Sequence, residues 1–595
     1  MHRLTPAAPL GDSLAIDTPS AALACLAVAL PTLLAFNLPP SATYFNQILS
    51  LLGWGGWLFH VSRIGSRHPM RLARHVIALL LALSLLTCAA LLSAAWWARL
   101  PWALSLSSAA AVGAGALAAT MGASVNRSDS RFKVFLALCL AMTIAGVASA
   151  IVGIVQVIAP AWADGDWIAR TTVEGRAVGN LRQPNHLCSL LLWSIVAVLW
   201  LGQARVRRRA LCAALAALML FVVVLSGSRS GLLGALGLAL WGLLDRRLLK
   251  PTRAVLLLAP AAFALFWLGL VAWADYSDHT FAGANRFGTD RDISSSRFGI
   301  WANTIELIKA HPWTGVGFGE FNFAWTLTEF PNRPVAFFDH AHNLPLQFAV
   351  ELGLPLAGLV LGLLGWAVVR AALNCLHPLY VSDPASPQRA AFAMVLLILM
   401  HSMLEYPLWY AYFLLPAASL LGLCLGNPID PPNSPGAPSS LKRHAWPHRA
   451  GAILLTLGSA YSIYDYLSVV VIFAPPENAA PLMQRIADGQ RSVFFSHHAD
   501  YAAATTSEDP KISLAAAQRA AHYLLDTRLM MAWANALHAT GDTERAKYVA
   551  QRLKEFRNPQ SEAYFAPCND ASVAVTDKPY QCFAPQRKFT FKDFR

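Results

Sequence analysis

Charge is scarce in this chain. Only 13% of its 595 residues are Asp, Glu, Lys or Arg, against 56% that are hydrophobic, and the mean hydropathy is +0.45. So few ions cannot cover the surface of a soluble enzyme of this length, which leaves an integral membrane protein. A basic stripe on a soluble face is also missing. The net charge of +13 comes largely from arginines in short loops between apolar runs, so nucleic acid is excluded as a partner and a lipid bilayer is implied. The first apolar run lacks a convincing A-x-A cleavage site and is followed by many more spans, which makes it a membrane helix and not a removed signal peptide. Few ionisable residues sit near the middle of apolar runs and no clear internal repeat is present, so the two features a transporter needs are wanting.

What is present is a series of thirteen apolar runs of spanning length, near 20–38, 42–62, 75–96, 101–121, 133–158, 184–204, 209–227, 230–245, 253–273, 343–369, 390–406, 408–426 and 450–473. The expected fold class is an all-α polytopic membrane protein. Arg63, Arg67, Arg71 and Arg74 share one loop; Arg127, Arg131 and Lys133 another; Arg205, Arg207, Arg208 and Arg209 a third; Arg246, Arg247, Lys250 and Arg253 a fourth. With thirteen spans all four lie on one side, and the positive-inside rule makes that side the cytoplasm, with the N-terminus. The loops at 159–183 and 274–342 then lie outside, as does everything after residue 473, while the Pro-rich linker Asn427–Pro435 and the following Lys442 and Arg443 stay inside. Residues 1–473 are expected to form the membrane domain and 474–595 a helical domain on its outer face.

Seven of the nine cysteines fall in or beside the spans, where they serve as small apolar residues. Cys568 and Cys582 lie in the outer tail, and a disulfide there would contribute about 3 kcal/mol; two free thiols are the bland alternative. In the same tail, Trp533, Ala536, Leu537, a break at Gly541-Asp542, then Ala546, Ala550 and Leu553 resemble one helical pair of a tetratricopeptide-like repeat.

The chemistry centres on Asp339-His340-Ala341-His342-Asn343-Leu344, where a polar stretch meets an apolar run. Two histidines and an amide there are costly unless used, and histidine moves protons near neutral pH, which makes His342 the leading candidate for the reaction centre and His340 its support. The alternative is a helix cap with Asn343 and the histidines in a wet turn. Arginines also occur on the expected outer face, at Arg182, Arg229 and Arg297, each beside Ser, Gly, Asn or Gln. A guanidinium fork matches phosphate, so three around one cavity would suit a diphosphate; lipid-headgroup anchoring is the plainer role. With a sugar on a polyprenyl pyrophosphate, the arginines would steady the leaving group and a neutral His342 would take the proton of the attacking hydroxyl. Two D-x-D triplets, Asp164 with Asp166 and Asp290 with Asp292, offer a competing metal-assisted route.

Together, Gly179-Asn180-Leu181-Arg182-Gln183-Pro184-Asn185, Ser226-Gly227-Ser228-Arg229-Ser230-Gly231, Ser295-Ser296-Arg297, His340-Ala341-His342-Asn343 and His401-Ser402-Met403-Leu404-Glu405-Tyr406-Pro407 resemble the bacterial O-antigen ligase/polymerase superfamily, and within it the PglL-type protein O-oligosaccharyltransferases. The resemblance implies a GT-C-like fold in the bacterial inner membrane and a metal-independent, cofactor-free, inverting glycosyltransferase facing the periplasm. It implies transfer of an oligosaccharide from undecaprenyl pyrophosphate to a Ser or Thr hydroxyl of a periplasmic protein such as a pilin. His342 matches the family's essential histidine and Arg229 and Arg297 its pyrophosphate arginines. Arg182 with Gln183 and Asn185, and Glu405 with Tyr406, match motifs of the protein-glycosylating branch. His401 and Glu405 are expected to support the site or face the acceptor. The alternatives within the superfamily are an O-antigen ligase acting on lipid A core and an O-antigen polymerase.

Overall fold

The computed structural model describes residues 17–64, 74–125, 130–204, 208–277, 279–286, 295–381, 383–426, 446–572 and 574–595. Arg67, Arg71, Arg127, Arg205, Arg207, Asp290, Asp292, the Asn427–Pro435 linker, Lys442 and Arg443 lie outside the described residues.

Each of the thirteen expected runs contains a helix, and no strand occurs among the described residues. Among the described residues seven helices, rather than thirteen, are long and apolar enough to cross a membrane: His75–Trp97, Trp102–Val125, Arg131–Ile158, Pro184–Ala204, Lys250–Tyr276, Leu344–Cys375 and Trp446–Phe473. Thr18–Leu33, Arg209–Leu225, Arg229–Leu244 and Ala411–Leu425 are shorter apolar helices. Pro184–Ala204 is the most enclosed of the seven, with Trp193 and Trp200 buried to 1% exposure, so it forms the axis of the bundle. Elsewhere small residues bring backbones together: a Cβ on Gly122 would stand 2.1 Å from the Ser419 carbonyl, and one on Gly422 2.0 Å from that of Ala119. Such contacts supply the van der Waals packing that must replace hydrophobic drive between apolar helices.

The long loop before Leu344–Cys375 is tied to the bundle by a break in that helix. Within Leu344–Cys375, Gly353 takes φ 75° and Pro355 follows, so the helical ladder fails there. The carbonyls released at Val350 and Glu351 accept instead from the Val316 and Gly317 N–H groups at 2.8 and 3.0 Å, and Leu354 N–H donates to Pro312 O at 2.7 Å. Only glycine fits, because a Cβ at 353 would lie 2.5 Å from the Trp313 carbonyl.

The tail packs on this same loop and not merely beside it. One apolar core contains Phe321, Phe323 and Trp325 of the loop together with Leu529, Trp533, Val549 and Phe556 of the tail. Tyr466, on the last long helix, belongs to the same core, and its hydroxyl donates to Leu38 O at 2.7 Å, which ties that helix to the segment after the first one. Polar contacts repeat the pattern. Asn322 accepts from Leu525 N–H at 2.7 Å and donates to Phe338 O at 2.9 Å, and Tyr548 donates its hydroxyl to Leu327 O at 2.6 Å. Glu320, fully buried, meets His522 Nδ1 at 2.8 Å. Arg333 bonds Glu555 at 3.0 Å and lies over the rings of Trp325 and Phe556; burial lowers it to about 10, which still leaves it charged at neutral pH.

The tail holds two antiparallel helical pairs, Ser496–Thr506 with Pro510–Ala520 and Thr527–Ala539 with Thr543–Glu555, of which the sequence pattern reveals the second. Cys568 and Cys582 are joined by a disulfide.

Phe556 stacks on Phe337 with ring centroids 3.9 Å apart and is wholly buried. Phe556→Ala should therefore cost about 3–5 kcal/mol of stability and open residues 311–340 to protease. Denaturant unfolding and limited proteolysis of the purified full chain check this, and unchanged cleavage would mean that the bundle alone holds the loop.

Candidate active site

Five separate segments deliver side chains to one end of the bundle. Pro184 opens the axial helix, and the residue before it, Gln183, caps that helix by accepting from His186 N–H at 2.6 Å. Ser228 caps Arg229–Leu244, accepting from Gly231 N–H. Asn343 caps Leu344–Cys375, accepting from Leu346 N–H at 3.0 Å, and reaches Met403 O with its amide at 3.0 Å. The capping alternative for Asn343 is thus what its side chain does. Arg297 lies in the first turn of Ser295–Ala310, and Glu405 just beyond the end of Pro387–Ser402.

Glu405, only 6% exposed, is where they meet. Its Oε2 accepts from Gln183 Nε2 at 2.9 Å; its Oε1 accepts from Asn185 Nδ2 at 2.9 Å and from Arg297 Nη2 at 3.0 Å. His342 Nδ1 stands 3.8 Å from the same oxygen. Asn185 extends the network, because its carbonyl oxygen accepts from the hydroxyls of Ser228 and Ser230 on either side of Arg229. A buried carboxylate survives only with such a set of donors.

The histidines form a chain. His340 Nδ1 bonds the Asp339 carboxylate, and His340 Nε2 lies 3.2 Å from His342 Nδ1. A carboxylate can only accept, so Nδ1 of His340 carries a proton, which leaves Nε2 to accept in the tautomer that completes the chain. His342 then donates through Nδ1, and its Nε2 holds the lone pair. Burial first, with His340 and Arg297 close by, holds His342 down to about 3, so it is neutral at pH 7. Its backbone is left-handed, φ 51°, as is that of Arg182, φ 57°; four non-glycine residues among those described share this conformation, and two of them are site candidates from sequence.

Other expected residues are placed differently. Arg182 donates to Ala42 O at 3.3 Å, turned toward the segment after the first helix. Arg229 is exposed at the start of its helix. Tyr406 packs on the His340 ring, and His401 is buried with Nδ1 2.6 Å from Ser189 Oγ, beneath the site. Asp339 and Ser189 have no role legible in sequence; the adjacency of Asp339 to His340 is the available signal. Asp164 accepts three backbone N–H groups, from Asp166, Trp167 and Ile168, and so shapes its own turn. Among the described residues no group of three His, Cys, Asp or Glu side chains is disposed to hold a metal ion.

A family model described as O-antigen ligase matches residues 214–361, one described as virulence factor membrane-bound polymerase, C-terminal, matches 389–565, and one described as protein glycosylation ligase matches 177–201. Between them they cover every arginine and histidine of the site. The chain therefore resembles the O-antigen ligase class of membrane enzymes, as its motifs indicate. More narrowly, it is 28% identical over 312 residues to a general O-oligosaccharyltransferase of Acinetobacter baylyi, covering 51% of this chain and 53% of that protein. It is 27% identical over 255 residues to the ComP-specific O-oligosaccharyltransferase of the same organism, covering 42% and 44%. The matched stretches span about half the length of these relatives or less.

Glu405→Gln removes the charge and keeps the shape, leaving Arg297 without its counter-ion. A double-mutant cycle with Arg297→Gln should show coupling of about 0.5–3 kcal/mol in unfolding of the purified chain. Strictly additive losses would mean that the pair is not coupled.

Proposed function

We propose that this protein transfers a preassembled oligosaccharide from undecaprenyl pyrophosphate to Ser or Thr hydroxyls of exported proteins, pilin-like ones among them, at the periplasmic face of the bacterial inner membrane. The meeting of Arg297, His342, Gln183 and Asn185 around Glu405 carries this reading. The names of the two relatives and the glycosylation-ligase match at 177–201 support it.

In this reading the acceptor oxygen attacks the anomeric carbon from the face opposite the pyrophosphate. The new C–O bond forms as the bond to the pyrophosphate breaks, and the electron pair leaves on the pyrophosphate, so the configuration inverts. His342 Nε2 takes the hydroxyl proton, aligned by the bond from Nδ1 to His340 and through it to Asp339. Arg229 and Arg297 take up the charge of the leaving group, with Arg182 nearer the first helix. A guanidinium has five N–H donors, so holding one on Glu405 leaves Arg297 able to grip a phosphate. No metal or cofactor is assigned a step.

His342→Ala should retain the polyprenyl-linked donor and lose about 10²–10⁴-fold in turnover, with a smaller loss for His340→Ala. Because His342 is held neutral down to about pH 3, kcat/KM should show no acid limb near pH 6.5, roughly the ordinary histidine value. A limb centred there, or normal turnover in the alanine variant, would remove His342 from the role of base.

The acceptor is tested by competition. Purified enzyme with one undecaprenyl-linked donor, offered an acceptor protein and core lipid A together, should glycosylate the protein. Product on the lipid alone would make this an O-antigen ligase, and glycan-on-glycan product alone a polymerase.

A further inference from the structure

Three helices that reach the Glu405 site also enclose a second space, at the other ends of two of them and along the length of the third. The far halves of Arg229–Leu244 and Leu344–Cys375, with Pro387–Ser402, line a cavity of about 610 Å³. Its wall is apolar, and Leu240, Leu244, Leu376 and Leu396 are all exposed along it, so its flank is open to the side where lipid would stand. Its end is basic. Arg246 and Arg247 line it and are exposed, and Arg389 lines it at 8% exposure. Arg389 donates to Pro384 O at 2.9 Å and has Nε 3.2 Å from Asp245 Oδ2, while its Nη1 is buried without a hydrogen-bond partner among the described residues. Asp245 and Asp383 both act on Arg389, against three arginines, so a positive excess remains at the end of the cavity.

We propose that this cavity binds an anionic phospholipid of the surrounding bilayer, an acyl chain along the leucines and the phosphate at Arg246, Arg247 and the unpartnered Nη1 of Arg389. The volume is that of a small-ligand site, and a basic pocket between membrane helices suits a lipid head group. A polyprenyl pyrophosphate fits poorly: its charge belongs at Arg229 and Arg297, and Leu244 ends the 16-residue helix that Arg229 begins, about 22 Å away at 1.5 Å per residue. Free phosphate would leave the apolar wall unused. The site is independent of the transfer reaction proposed above.

The full chain in neutral detergent, titrated with phosphatidylglycerol or phosphatidylcholine and read by native mass spectrometry, tests this. Phosphatidylglycerol should be retained with a preference of roughly tenfold or more, since each arginine near an anionic head group is worth about fivefold. Arg246→Gln with Arg247→Gln, both exposed and expected to fold, should erase the preference; Ala393→Trp, which fills the wall, should abolish retention of either lipid. Equal retention of both lipids by the unaltered chain, an undiminished preference in the double variant, or displacement of the lipid by undecaprenyl phosphate would overturn the proposal.

Discussion

A carboxylate in an apolar end of a helical bundle has to be matched, and the matching of Glu405 organises this molecule. Burying it without donors would cost several kcal/mol. Its partners come from positions 183, 185 and 297, so satisfying one side chain fixes the relative placement of the axial helix, the helix Ser295–Ala310 and the turn that ends Pro387–Ser402. Asn185 passes the same constraint to the serines flanking Arg229.

The histidines add a second constraint that the tail supplies. Phe337 and Phe338, next to Asp339, are held from the tail side: Phe337 by Phe556, and Phe338 through Asn322, which also takes Leu525 N–H. The broken ladder at Gly353 holds the loop from the bundle side. The histidine chain thus lies in a segment gripped from both directions, which is how a residue in a left-handed conformation stays in place.

Much of the candidate site is legible in sequence, because ionisable and amide residues at the ends of apolar runs stand out against hydrocarbon. His342, Arg297, Gln183 and Asn185 are all found from motifs alone. Their convergence is not legible: Glu405 lies 108 residues from Arg297 and 222 from Gln183, and nothing local reports such distances. For the same reason Glu405, expected to have a supporting role, is the hub, and Arg182 turns to Ala42. The helices of the bundle follow from length and hydropathy. The first tail pair does not, since Ser496–Thr506 and Pro510–Ala520 bury mainly alanines and no large apolar residues such as the Trp533 and Leu537 that mark the second pair. Nor does the shared core of loop and tail, whose closely spaced aromatics at 321–338 follow no helical period.

The partnership of loop and tail also has a history within each molecule's manufacture. Residues 320–327 leave the ribosome some two hundred residues before the partners they contact at 522–548. At bacterial synthesis rates of about 5–20 residues per second, that is a wait of roughly 10–40 s. Through that interval most of the arginines and histidines of the site exist already, yet the segment bearing the histidines has no roof. Helices made later steady the candidate site made before them, so an interrupted copy carries those side chains without the support that aligns them.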